Sequence, residues 1–146
     1  MTITITEMEN SHTEEVAAIE ASTFSEPWSV KAFADAVLSD DYLYIVAMDE
    51  DKVVGYAGCV MSMGEADITN IAVHNEYRRI GIGNELLTQI IKQMKKRDIE
   101  KVFLEVRESN NSARMLYSSN GFVEIGVRKN FYRKPDENAI LMELTI

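Results

Sequence analysis

Arg78-Arg79-Ile80-Gly81-Ile82-Gly83 is the stretch whose reading decides the fold. An apolar, β-branched run from Ala66 to Val73 precedes it across the short bridge His74 to Tyr77. After it, Leu86, Leu87, Ile90, Ile91 and Met94 recur at helical spacing, with Lys95, Lys96 and Arg97 suited to the C-terminal end of the helix dipole. Two glycines between a strand and the first turn of a helix remove Cβ atoms where a ligand would meet the backbone. The unpaired N–H groups of the helix start converge there, and the positive end of the dipole favours an anion. Arg78 and Arg79 add charge that a diphosphate can use. A tight turn that simply needs two glycines would leave the same trace, so the neighbouring segments must decide. The run lacks the third glycine and downstream acid of the dinucleotide fingerprint, and it lacks the Gly-Lys-Ser/Thr ending of a phosphate loop.

Working outward, Thr2 to Glu7 alternates as an opening strand, and Ser11 with Glu14 has capping-box spacing before a helix through Val16 and Ile19. Ser29 is placed to cap a second helix whose apolar positions are Val30, Phe33, Ala34, Val37 and Leu38. Tyr42 to Met48 and Val53 to Met63 read as a hairpin around the acidic turn Asp49 to Lys52. Beyond the glycine cluster, Val102 to Val106 is a strand, and Asn110 to Asn120 is a helix stopped by Gly121. Phe122 to Tyr132 and Asn138 to Leu144 close the chain as two further strands. This order predicts a mixed central β-sheet flanked by helices, in the α/β (α+β) class, with residues 1–146 as a single domain.

Bulk properties narrow the function classes. A length of 146 residues suffices for one core without staples, and Cys59, the one cysteine, cannot form an internal disulfide. Its apolar run, Val53 to Met61, suits a small buried thiol. A net charge of -9 has the wrong sign for gripping a nucleic-acid backbone, so no direct nucleic-acid binding is expected. A basic peptide partner fits that charge, as does plain solubility. No apolar run reaches membrane-span length and the first residues lack signal-peptide features, which predicts a cytoplasmic protein with no membrane contact. His12 and His74 are isolated and show no ligand spacing, so no metal is expected.

Several separate segments carry a resemblance. The Arg-x-x-Gly-x-Gly run after a strand is similar to the coenzyme A-binding signature of the GNAT superfamily of N-acetyltransferases. Phe24-Ser25-Glu26-Pro27-Trp28-Ser29, Asn70-Ile71-Ala72-Val73, Leu104-Glu105-Val106-Arg107-Glu108-Ser109-Asn110 and Leu116-Tyr117-Ser118-Ser119-Asn120-Gly121-Phe122 resemble the bacterial ribosomal-protein-alanine N-acetyltransferases. Arg128-Lys129-Asn130-Phe131-Tyr132 continues the match, with Phe131 where members often carry a second tyrosine. The resemblance implies transfer of acetyl from acetyl-CoA, without a metal, to the N-terminal alanine of a small-subunit ribosomal protein. It assigns the backbone of Ile71, Ala72 and Val73 to the acetyl and pantetheine portion. Arg78, Arg79, Ile80, Gly81, Ile82, Gly83 and Asn84 fall to the diphosphate, and Asn110 to a contact near the reacting end. It also places the general base at Glu105 and the general acid at Tyr117.

Those residue types fit the chemistry. An α-amine has a free pKa of about 7.7–8.0 and must shed a proton before it attacks. A carboxylate such as Glu105 can accept it directly or through water, and a tyrosine hydroxyl can protonate the departing thiolate. A backbone N–H of Ile71 to Val73 can stabilise the charge that develops on the carbonyl oxygen. Each assignment has a plainer competitor. Alternation alone makes Glu105 a solvated strand position beside Phe103 and Arg107, and Tyr117 lies on the helix face of Ala113 and Leu116 where core packing is the default. Trp28 and Phe24 either line a peptide groove or pack around a turn. At the level of function, a lysine or small-molecule amine as acceptor and a non-catalytic coenzyme A-sensing module stand as the alternatives.

Overall fold

A computed structural model describes residues 2–146. Among them, seven strands form one sheet in the order β1-β2-β3-β4-β5-β7-β6. The strands are β1 (Ile3–Glu7), β2 (Tyr42–Asp49), β3 (Lys52–Ser62), β4 (Glu65–Val73), β5 (Lys101–Arg107), β6 (Val123–Tyr132) and β7 (Glu137–Thr145). Every neighbouring pair is antiparallel except β4 and β5, which run parallel. The helices are α1 (Thr13–Thr23), α2 (Val30–Val37), α3 (Ile82–Lys96) and α4 (Asn111–Ser119). The α/β class and the mixed, helix-flanked sheet agree with the sequence reading.

Alternation along the strands distributes side chains to two cores. On one face Leu43, Ile45, Ala57, Cys59, Val102, Leu104 and Val106 pack with Leu86, Leu87, Ile90 and Met94 of α3 and with Tyr117 of α4. On the other, Tyr44, Val46, Val53 and Tyr56 pack with Val16 and Ile19 of α1 and Phe33 of α2. A period-2 strand sends successive residues to opposite faces, and this is why one hairpin serves both layers. Gly58 marks a point of close approach, because a Cβ there would lie 2.0 Å from the Tyr44 ring.

Local signals held with one correction. Ser29 caps α2, its hydroxyl accepting from the Ala32 N–H at 3.1 Å. Gly121, at φ +93°, follows α4 in the left-handed conformation expected after a helix end. The first helix is not entered through Ser11. Asn10–His12 form a 3-10 turn, the Glu9 N–H donates to His12 Nδ1 at 3.0 Å, and Ser11 lies inside that turn. The His12 imidazole does there, for the Glu9 N–H, what the Ser11–Glu14 spacing had suggested the Glu14 carboxylate would do for the Ser11 N–H.

Candidate active site

Parallel pairing between β4 and β5 lasts only from Glu65↔Lys101 to Asp67↔Phe103. Beyond it the two strands part, so Ile68 to Val73 keep β3 on one side and have no strand partner on the other. A bulge between Gly58 and Cys59 leaves Thr69 without an opposite number on β3, which bends β4 where the parting begins. The predicted backbone donors Ile71, Ala72 and Val73 line this opening. A sheet interior normally pairs such groups, so the gap is a place where an extended ligand can complete the ladder.

Glu105 lies on β5 past the last β4–β5 pair, with an exposed carboxylate. The flanking residues Leu104 and Val106 are buried in the α3–α4 core, so Glu105 projects to the opposite, α1–α2 face. Arg128 approaches its Oε1 at 3.8 Å. Tyr117 arrives from the other side. Its ring is buried at 6% exposure and packs edge-on against Phe122, with centroids 5.6 Å apart. The core reading of that helix face therefore holds for the ring. Burial, together with the neighbouring Tyr132, pushes the phenol well above the usual tyrosine value, so the hydroxyl stays protonated. The two expected catalytic side chains thus lie on opposite faces of the sheet.

The glycine run forms the adjoining entrance. Gly81 is the N-cap of α3 at φ +90°, and Arg79 is also left-handed at φ +65°. A Cβ on Gly81 would meet nothing within 4 Å, so conformation rather than crowding within the chain calls for glycine there. One at Gly83 would touch Leu116 Cδ2 at 3.6 Å and Val73 Cγ2 at 3.8 Å, which places the first turn of α3 against both α4 and the end of β4. Asn120 Nδ2 donates to Asn84 Oδ1 at 2.9 Å and links the same helices. Glu85 N–H is the donor to Gly81, leaving the N–H groups of Ile82, Gly83 and Asn84 at the open helix start. Ile80 is half exposed, and Arg78 is steered by donating from Nε to Val73 O at 3.0 Å. Asn110 caps α4 by accepting from the Ala113 N–H at 3.2 Å, so its carbonyl oxygen is already engaged and its amide nitrogen is the group left to face a ligand.

The segments expected to bind the cofactor therefore adjoin one another, the first turn of α3 lying against the end of β4 beside the strand parting. A scan of the sequence against family models matches residues 13–122 to the acetyltransferase (GNAT) family. The chain belongs to the GNAT acetyltransferase family. As a GNAT member it is an N-acetyltransferase that takes its acetyl group from acetyl-CoA. It is 37% identical over 145 residues to the [ribosomal protein bS18]-alanine N-acetyltransferase of Escherichia coli (strain K12), covering 98% of this chain and 97% of that one. The corresponding enzyme of Haemophilus influenzae is 36% identical over 141 residues, covering 94% of this chain and 95% of that one. The crystal structure of the E. coli ribosomal-protein-S18-alanine N-acetyltransferase superposes with a TM-score of 0.92 at 35% identity, over 99% of this chain and 94% of that one.

Three features of this GNAT site escaped the sequence reading. Glu20 is buried at 2% exposure, and no cation pairs with it among the described residues. Its carboxylate accepts from the Trp28 N–H at 3.0 Å, from the Asn70 amide at 3.2 Å and from the Tyr56 hydroxyl. The spacing Val16, Ala17, Ile19, Glu20 placed an acid on an apolar helix face, and that was the available signal. Tyr132 is the second feature. Burial raises its phenol to about 12, the charge of Glu105 adds to that, and Arg107 opposes it. Arg107 itself is the third, and it donates both to Ser25 on the loop between α1 and α2 and to Arg133 O on the loop between β6 and β7. Trp28 packs against Phe33, Tyr42 and Tyr44 at centroid distances of 5.3, 6.2 and 5.9 Å, so its ring belongs to the aromatic layer beneath the loop. Asp49 is more than a solvated turn residue, since it accepts from the Tyr77 hydroxyl at 2.8 Å. Cys59 is fully buried and its thiol is pushed up to about 12, which removes it from the chemistry.

Proposed function

We propose that this chain, acting as one domain over residues 1–146, transfers acetyl from acetyl-CoA to the N-terminal alanine of a ribosomal protein. The observation that supports the chemistry is the parting of β4 and β5, with Glu105 on the α1–α2 face and Tyr117 on the α3–α4 face. The acceptor assignment rests on near-full-length similarity to the bS18-alanine enzymes.

Acetyl-CoA supplies an activated thioester, so no enzyme nucleophile is required. The α3 N-terminus, with Arg78, Arg79, Ile80, Gly81, Ile82, Gly83 and Asn84, holds the diphosphate through N–H groups and the helix dipole. Ile71, Ala72 and Val73 orient the acyl arm, and a backbone N–H of this strand faces the developing oxyanion. Asn110 steadies the arm near its reacting end. The acceptor enters on the α1–α2 face, in a groove between the α1–α2 loop and the β6–β7 loop, and meets Glu105. Glu105 takes the proton of the ammonium, directly or through a water. Tyr117, kept protonated by burial, gives its proton to the sulfur on the far side. The net charge of -9 suits a basic peptide.

Mass spectrometry tests this reading. Wild-type protein with acetyl-CoA and a peptide starting in alanine is expected to add one acetyl to the α-amine. Acetylation confined to lysine side chains or small amines would overturn the acceptor assignment.

A further inference from the structure

We propose that Arg107 is a positioning residue that sets the acceptor groove by clasping the α1–α2 loop to the β6–β7 loop. This rests on the acceptor reading above and deepens it. Arg107 ends β5 two residues after Glu105 and projects to the same face. Its Nη2 donates to Ser25 Oγ at 3.3 Å on one loop and to Arg133 O at 2.8 Å on the other. Its Nη1 donates to Pro135 O at 2.9 Å and to Glu137 Oε1 at 3.2 Å. The guanidinium also lies over the Tyr132 ring, 4.5 Å from its centroid. Ser25 completes the junction by donating to Arg133 O at 3.2 Å. Glu137 accepts from the Ser109 N–H at 2.6 Å, and interactions with Ser109, its side chain first, hold that carboxyl below its ordinary value.

A planar fork with several fixed donors and no acceptor is what this junction of carbonyl, hydroxyl and carboxylate oxygens requires, and a lysine ammonium cannot span it. Among the described residues, the hydrogen bonds between the two loops all pass through Ser25 and its junction with Arg107 and Arg133. The groove walls are therefore fixed relative to each other at the strand that carries Glu105. The coenzyme A path runs against α3 and α4 and meets the clasp only through backbone N–H groups, Ser109 donating to Glu137 at 2.6 Å and Asn110 to the Arg107 carbonyl at 2.9 Å, and that carbonyl persists in Arg107 variants. Releasing it loosens acceptor binding and leaves cofactor binding in place.

Arg107→Met, Arg107→Lys, Ser25→Ala and the Arg107→Met/Ser25→Ala double variant test this, by steady-state kinetics and by hydrogen exchange on the free proteins. In Arg107→Met the KM for the alanine peptide is expected to rise about ten-fold or more, with kcat and the KM for acetyl-CoA changed less than about two-fold. Arg107→Lys should fall between wild type and Arg107→Met. Adding Ser25→Ala to Arg107→Met should raise peptide KM little further, since both act at one junction. Exchange should quicken together in residues 24–27 and 132–137 and stay unchanged in α3. Equal rises in both KM values, a loss confined to kcat, or unchanged exchange in either loop would overturn the clasp. If wild-type protein leaves the alanine peptide unmodified, the acceptor reading fails. The exchange comparison then decides the clasp: joint quickening supports it and unchanged exchange overturns it.

Discussion

The side-chain amide of Asn70 reaches both oxygens of the Glu20 carboxylate, at 3.2 Å each, and so fastens α1 to the strand that borders the acyl site. Tyr44 donates to Asn70 Oδ1 from the other side, and Tyr56 donates to Glu20, so each polar group in this apolar layer is satisfied by another. Such networks tolerate the loss of a member poorly.

Removing the carboxylate with Glu20→Ala strands the Asn70 amide, the Tyr56 hydroxyl and the Trp28 N–H. A loss of about 3 kcal/mol is expected, because buried unsatisfied donors carry their full desolvation cost. That lowers Tm by roughly 6–12 °C in a chain of this size. Glu20→Gln keeps the shape but replaces one acceptor oxygen with an NH2 donor that faces the donors of its neighbours, so it should also destabilise. Thermal unfolding of both variants checks this, and wild-type stability in Glu20→Ala would refute the network's role.

Glu105 and Tyr117 are predicted to matter for rate and little for stability or cofactor affinity. Glu105→Gln should lower kcat by about 10²-fold or more, the usual range for a positioned acid or base. Its residual rate should climb with pH as the free amine deprotonates near pH ~8, since the variant must rely on already neutral acceptor. Tyr117→Phe removes one oxygen from a ring that stays packed on Phe122 and should lose rate with little change in Tm. pH-rate profiles alongside thermal melts separate these outcomes. Equal losses of Tm and rate would make either residue structural.

Gly81 occupies φ +90°, a region that costs a residue with a Cβ about 1–2 kcal/mol. With open space around its Cβ direction, Gly81→Ala introduces no clash within the chain. The strain relaxes by turning the first N–H groups of α3 away from their common direction. Titration calorimetry with coenzyme A should show affinity reduced about five- to thirty-fold, following from that strain. Undiminished affinity would show that the diphosphate does not depend on this turn.

Much of this arrangement was legible in the chain, for identifiable reasons. The helix of Leu86 to Met94 and the strand of Val102 to Val106 carry strong periodicity, and Ser29 and Gly121 are end signals that act through local geometry alone. The Ser11–Glu14 spacing misled because His12 offered a competing acceptor to the same backbone. The parting of β4 from β5 leaves no trace in either strand's alternation, since it is a property of pairing. Arg107 escaped notice for the same kind of reason. Its partners Ser25 and Arg133 are 82 and 26 residues away, a separation that no pattern of spacing encodes. Tyr117 was legible as core by its helical face, and its buried ring and raised phenol bear that out; its proposed role as acid came from the motif alone.

The tyrosines predict how the protein behaves at high pH. Burial raises Tyr44, Tyr56 and Tyr117 far above the ordinary value of 10, with the charge of Glu20 adding to the first two. A group that holds its proton more tightly when folded contributes stability that is fully present below its unfolded pKa and lost as pH rises beyond it. Stability should therefore be level up to about pH 10 and fall steeply above it, as the unfolded chain gains the freedom to ionise these phenols. Of the six tyrosines, these three should show tyrosinate absorbance only together with loss of the far-UV circular dichroism signal. Tyr44→Phe should blunt the fall, because it removes one phenol that the unfolded state can ionise, although it also leaves Asn70 Oδ1 without its donor and so lowers stability near neutral pH. A tyrosinate titration that is complete before any unfolding would mean that the phenols are open to solvent, and would overturn the buried arrangement of both cores.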